Sequence, residues 1–336
     1  MTDPSGYPAP QDGEEDARSA ARRCRRHCAM FDFSFVRRAR VEPGCDVRAL
    51  ESFCNRSLAD MPTGRIRYAL RVTPDGYLRS DLTIWRRQDH GFDIMSGRSK
   101  DIDDIAAMPG MRLIGSDDRI GILAVQGPET LSVLAPLETG AVIRALPYYG
   151  SCRTRIAGID CLVGRLGYTG EAGVELICAR ETLPELRALL SERCPMAGFA
   201  AIDILRIEAG FPLFWNDFLV PVTASEAGFA RFASDIVAVS RDPLRRIALL
   251  VDGTAPVIAW RPGRPPRRPV EDGEVAITSV CDSPVAGGLL ALGYARCADL
   301  DAGTPLFDAA DEFATLRRVG LPFYDPAKLR PRKDWG

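Results

Sequence analysis

Two strand-forming segments, 65–73 and 78–86, stand on either side of Pro74-Asp75-Gly76. Proline presets a turn φ, aspartate hydrogen-bonds its own backbone, and glycine accepts the positive φ of a tight reversal. The stretch predicts a β-hairpin, and a hairpin commits this part of the chain to an antiparallel sheet. The same logic recurs downstream. Residues 159–165 read as a strand running into Gly167-Tyr168-Thr169-Gly170, with 173–178 as its partner. A strand is also predicted at 120–125, and period-two alternation starts another at Phe31-Asp32-Phe33-Ser34-Phe35. Gly- and Pro-poor runs at 14–29, 47–56, 129–137, 183–193 and 201–209 predict helices (Pro184 sits in the first turn of one), the first capped by Asp12 with Glu15 three residues on. Strand, helix, strand, strand, helix is the order of an α+β layered fold and not of a doubly wound sheet.

A chain of 336 residues exceeds what one hydrophobic core usually serves. An Arg/Pro-packed break at Arg261 to Pro269 divides it, and short strands follow at 274–280, 289–295, 305–307 and 314–319, the pattern of a small all-β C-terminal domain. The polar N-terminus, residues 1–16, reads as a disordered tail.

Several function classes drop out. Forty-three basic against 45 acidic residues leave a net charge of -2, so no nucleic-acid footprint is predicted. No apolar run reaches the ~18–20 residues of a membrane span, and no signal peptide precedes the first helix. Ten scattered cysteines without a CxxC fit reduced thiols and a cytoplasmic location. Cys24, His27 and Cys28 stand at i, i+3, i+4, one face of a helix, yet a fourth ligand has no candidate, so no metal is predicted. The arginines among them (22, 23, 25 and 26) read as a solvated basic face. With two histidines in the chain, acid–base chemistry falls to carboxylates, tyrosines or the substrate.

The run 167–176, GYTGEAGVEL, is not a phosphate loop, since it lacks both the Walker lysine and GxGxxG spacing. It resembles the GYTGExGxEL signature of the aminomethyltransferase (glycine-cleavage T-protein) family, which includes folate-dependent demethylases. Residues 203–210, DILRIEAG, resemble that family's DxLRxEAG; 124–128, AVQGP, its ALQGP; Met30 to Ser34 its xFDxS. Pro62 to Tyr68 and Gly76 to Trp85 are similar to its PxGxxxY…GxxxDDLxxY hairpin. Ile277-Thr278-Ser279 and Leu321-Pro322-Phe323-Tyr324 fit its third domain and closing strand. These motifs run co-linearly from about residue 20 to 325.

The resemblance implies a cloverleaf: a ferredoxin-like and a second α+β part, interleaved within 17–235, and a C-terminal β-barrel over 245–330. Tetrahydrofolate would lie where they meet. Asp81 matches the catalytic carboxylate beside the folate's reactive nitrogens. Tyr68 and Tyr168 match tyrosines of the pterin site, Trp85 replaces an aromatic that can stack, and Glu175 matches the glutamate on the pterin's amino edge. A flat ring and an amidine edge suit aromatic walls and a bidentate carboxylate. Departures stand at Ser80 (for the first acid of DDL), at Ile94 to Arg98 (for VVNxxN) and at Ile202 (for an arginine).

The implied activity is tetrahydrofolate-dependent one-carbon transfer, methylene or methyl, from a small-molecule donor, with a carrier or dehydrogenase protein as the partner the family allows. Two alternatives stand beside it: a non-catalytic folate-binding protein of the iron–sulfur-maturation kind, whose KGCxxGQE motif has no counterpart in 214–232, and a stand-alone folate domain serving a demethylating amine dehydrogenase.

Overall fold

The computed structural model describes residues 16–114, 119–233, 242–253 and 267–335. The tail up to residue 15, the Asp12 cap with Glu15, and 261–266 of the Arg/Pro break lie outside the described residues. The first helix, α1 (Ala17–Arg26), is capped instead by Asp16, whose carboxylate accepts from the N–H groups of Arg18 and Ser19. It stops at His27, so Cys24, His27 and Cys28 do not share a helical face. Cys24 is buried, His27 reaches Glu129 at 3.0 Å, and Cys28 already leads into the first strand. Among the described residues no three His, Cys, Asp or Glu side chains gather as a metal would need. No helix there is long and apolar enough to cross a membrane.

Along the chain follow β1 (Ala29–Asp32), β2 (Arg37–Val41), α2 (Val47–Cys54), β3 (Ile66–Val72), β4 (Leu78–Arg86), β5 (Phe92–Ser96), α3 (Ser99–Ala106) and β6 (Ile120–Gln126). Then come α4 (Thr130–Leu134), β7 (Glu138–Thr139), β8 (Ser151–Ile156), β9 (Ile159–Gly164), β10 (Gly173–Ala179), α5 (Leu183–Ser191), α6 (Phe199–Glu208) and α7 (Phe214–Asp217). The C-terminal part holds β11 (Leu244–Val251), β12 (Glu274–Ser283), β13 (Gly288–Arg296), α8 (Cys297–Ala302), β14 (Phe307–Asp308) and β15 (Leu316–Val319).

Three sheets result: β1-β6-β10-β9-β8-β7, β2-β5-β4-β3 and β14-β12-β13-β11-β15. The first two are antiparallel throughout, so the α+β class holds. The third is an open, curved half-barrel with a register shift between Ile277 and Ser279. Its strand β11 lies between β13 and β15, although the sequence reading placed no strand at 244–251. Helix α1 packs on α6, and α6 in turn on β12, so one core runs from the first sheet through two helices to the third. The segment after β15 does not close the sheet as a strand. Residues 321–335 cross back over the first sheet: the Tyr324 N–H donates to Glu208 O at 2.7 Å, and Trp335 is buried under Arg165, 4.0 Å from its ring centroid.

One arginine of the supposedly solvated face is a keystone. Arg25 is buried, and its guanidinium holds Glu208 at 2.8 Å, Glu171 at 3.1 Å and the carbonyls of Thr169 and Leu205 at 2.7 and 3.1 Å. The acids of two separate sequence signatures are thereby explained as partners of α1.

Candidate functional site

Between the first two sheets, and bordered by residues 209–214, 229–232 and the returning segment 324–332, lies a cavity of about 520 Å³, within the usual range for a small-molecule site. The β3–β4 hairpin supplies one wall. Alternation along β4 turns Ser80, Leu82 and Ile84 into the core below, and Asp81 and Thr83 toward the cavity. Tyr68, opposite Thr83 in the ladder, donates its hydroxyl to Asp81 Oδ2 at 3.1 Å. Burial pushes the Asp81 carboxyl up to about 6, against the pull of that hydrogen bond, and pushes the Tyr68 phenol well above its ordinary range.

The facing wall comes from β10. Val174 and Leu176 are buried beneath the sheet, so Glu175 points to the cavity. Its ladder neighbours are Ala124 and Gly164, and the Trp85 indole packs over Gly164. Among the described residues no donor reaches that carboxylate. Burial alone pushes it up to about 7. A half-buried carboxylate with no donor among the described residues, facing a cavity, is a group held ready for a ligand.

The preceding turn is built around Gln126. Its amide donates to Leu166 O and Val174 O at 3.2 and 3.3 Å, and its oxygen accepts from Thr169 at 3.0 Å. A Cβ on Gly167 would overlap this amide, which is why glycine stands there. The turn presents Tyr168, stacked on Phe211 with centroids 5.9 Å apart and its hydroxyl donated to Pro212 O. Tyr68 meets Phe232 edge-on at 5.0 Å, so aromatic rings line the cavity on two sides.

The family model of the GCVT N-terminal domain matches residues 1–235. An aminomethyltransferase of Streptomyces coelicolor is 30% identical over 361 aligned residues, covering 98% of this chain and 94% of the relative. The mitochondrial aminomethyltransferase of Gallus gallus is 32% identical over 319, covering 84% and 78%. The chain belongs to the aminomethyltransferase family. The crystal structure of glycine cleavage system aminomethyltransferase T from Bartonella henselae shares its fold, with a TM-score of 0.73 over 88% of this chain and 85% of that one, at 22% identity.

Of the residues matched to the aminomethyltransferase site, Tyr68, Asp81, Tyr168 and Glu175 come together around the cavity. Trp85 does not. It is 1% exposed, the edge of its six-membered ring packs over Gly164, the ladder partner of Glu175, and its N–H donates to Thr83 Oγ1 at 3.0 Å. Alternation places it on the cavity side of β4, but at that end the second sheet abuts the first, and the indole fills the seam. Trp85 is a support for the site and not a stacking surface within it.

The departures at Ser80 and at Ile94 to Arg98 form one cluster. Ser80 and Ser96 donate to Asp101 Oδ2 at 2.7 and 2.8 Å, while Arg71 and Arg98 both hold Oδ1 at 2.9 Å. Three of these four donors occupy positions where the family motif reads differently, and all serve a fully buried aspartate on the face of β4 away from the cavity. Ile202 is buried in the core beside α1. The sequence reading missed Tyr149, Phe211, Arg231, Tyr324, Lys328 and Arg332, which also line the cavity. For Lys328 and Arg332 a signal was present in the basic run 328–333; the others stand in irregular segments with no periodicity to expose them.

Proposed function

We propose that the chain is a tetrahydrofolate-dependent one-carbon transferase, built as the family cloverleaf with 17–235 and 245–330 as its parts and the folate in the cavity between them. The observation that carries this is Glu175: a carboxylate with no donor among the described residues, facing an aromatic-walled cavity. A pterin fits that donor set, since its amino edge supplies two N–H groups to a carboxylate and its plane suits Tyr168 and Phe211. When bound, the folate supplies nitrogens that accept the one-carbon unit. Asp81, ionised above about pH 6, sets negative charge at the wall where positive charge develops during transfer. Tyr68 fixes the orientation of that carboxylate. The aromatic lining excludes water. The donor is a small methylated or aminomethyl compound, or an aminomethyl group on a carrier protein. The absence of cysteine from 214–232 argues against the iron–sulfur-maturation alternative.

Glu175→Gln tests the reading through binding. Tetrahydrofolate affinity is expected to fall by roughly 1–3 kcal/mol, the scale of a lost charge-assisted hydrogen bond. Unchanged affinity would return Glu175 to a structural role. The ligand-free protein should respond in the opposite direction. A carboxyl whose folded pKa is raised binds its proton more tightly when folded, so its contribution to stability is full below the unfolded value near 4.5 and is lost as pH rises toward 7. At pH 8 the ligand-free Glu175→Gln protein should therefore melt above wild type by on the order of 1–3 kcal/mol of stability, and at pH 4 the two should coincide. A variant less stable than wild type at pH 8 would show that the carboxylate has a partner in the fold.

A further inference from the structure

A further hydroxyl stands beside Asp81 and Tyr68 on the hairpin wall. Thr83 follows Asp81 by two residues on β4 and shares its face, opposite Tyr68 in β3 and Met95 in β5, and its half-buried side chain lines the cavity. A threonine hydroxyl has one hydrogen to donate and two lone pairs to accept with. One lone pair is taken, since the Trp85 indole N–H donates to Oγ1 at 3.0 Å. That indole is itself fixed, 1% exposed and packed over Gly164. Among the described residues no acceptor takes the Thr83 hydrogen. A β-branched side chain has few rotamers, so with Oγ1 held by Trp85 the hydroxyl stays in place at little ordering cost to a ligand. Its neighbours offer no substitute. The Tyr68 hydroxyl is already given to Asp81 Oδ2, Met95 has no donor, and Asp81 and Glu175, once ionised, only accept.

Thr83 also has a place in a series. Gly164 is the ladder partner of Glu175, the Trp85 ring edge packs over Gly164, Trp85 holds Thr83, and Asp81 follows on the same strand face. From the first sheet to the second the groups run Glu175, Thr83, Asp81: acceptor, donor, acceptor. One edge of a tetrahydropterin runs in complementary order. Its 2-amino group and N3–H donate, its 4-oxo oxygen accepts, and N5 comes next. We propose that Thr83 is a binding residue that donates its hydroxyl to the 4-oxo oxygen of the pterin, with Trp85 as the positioning residue that presets it. The proposal rests on the folate reading and deepens it. Two contacts, at Glu175 and Asp81, leave the ring free to rock in its plane, and a third between them fixes it.

The test is calorimetric titration with tetrahydrofolate of wild type, Thr83→Val and Thr83→Ser, joined to isotope-edited infrared spectra of bound tetrahydrofolate carrying carbon-13 at position 4. Thr83→Val is expected to weaken binding roughly three- to tenfold, the scale of one hydrogen bond, and Thr83→Ser to restore it. The labelled carbonyl band should lie at lower frequency in wild type and Thr83→Ser than in Thr83→Val. If the stranded indole N–H keeps Thr83→Val from folding, the double variant Thr83→Val/Trp85→Phe removes both partners and is read in the same way. Affinity equal to wild type, or an affinity loss with an unmoved carbonyl band, overturns the assignment. Glu175→Gln run alongside separates the two failures: if it binds more weakly and Thr83→Val does not, only Thr83 is misassigned, whereas no binding by wild type removes the folate reading and this inference with it.

Discussion

Replacing Asp81 by asparagine is expected to lower turnover by about 10²-fold or more while changing tetrahydrofolate affinity by less than ~1 kcal/mol. The two effects separate because Asp81 and Glu175 stand on different sheets. The first is hydrogen-bonded by Tyr68 on the hairpin wall; the second faces the cavity from β10 with no donor among the described residues. Asparagine keeps the shape and can still accept from Tyr68, so the wall survives and only the charge is lost. A pH profile gives a second reading. With the carboxyl raised to about 6 by burial, the wild-type rate should climb as pH rises through that value and the aspartate ionises. The Asn variant should lose this limb. Wild-type turnover in the variant would remove Asp81 from the mechanism, and failure to fold would make it structural.

Arg25→Met is expected to destabilise the protein by about 3–5 kcal/mol, the scale for stranding a buried charge by removing its partner. The guanidinium is enclosed with Glu208 and Glu171, whose side chains are 0% and 1% exposed, and it also satisfies two backbone carbonyls. Methionine keeps most of the volume and leaves two carboxylates facing each other in the core. Glu171 retains Tyr324 and Arg330, and Glu208 retains Ser283 at 2.7 Å. The loss should therefore be large but short of the sum of the separate bonds. Because Glu171 also fixes the returning C-terminal segment, chemical denaturation should show a lower midpoint together with earlier exposure of Trp335 fluorescence. A midpoint within about 0.5 kcal/mol of wild type would mean that the pocket accepts water or repacks around the acids.

The parts legible in the sequence were those governed by local rules. Pro74-Asp75-Gly76 produced the hairpin, because a turn of this composition reverses the chain whatever the tertiary context. Failures came where distant segments decide the outcome. Trp85 obeys the alternation and still misses the cavity, since only the approach of Gly164 from another sheet determines what covers the indole. Arg25 lies among three other arginines, and nothing in its neighbourhood tells that α1 will bury that one side chain against acids at 171 and 208. The helix end at Arg26 was overrun because no glycine or proline marks it. The departures at Ser80 and at Ile94 to Arg98, unrelated by sequence position, became intelligible once Asp101 was seen to collect their hydroxyls and guanidinium. The family resemblance pointed to Tyr68, Asp81, Tyr168 and Glu175, which line the cavity; Lys328 and Arg332 lie in a segment that no motif covers.

The central claim is that the cavity between the sheets holds tetrahydrofolate through Glu175, and calorimetric titration of the ligand-free protein with tetrahydrofolate tests it most directly. The account predicts saturable one-to-one binding, a melting temperature that rises with ligand concentration as native-state binding requires, and weaker binding in Glu175→Gln. No heat of binding and an unmoved melting temperature at saturating tetrahydrofolate would contradict it.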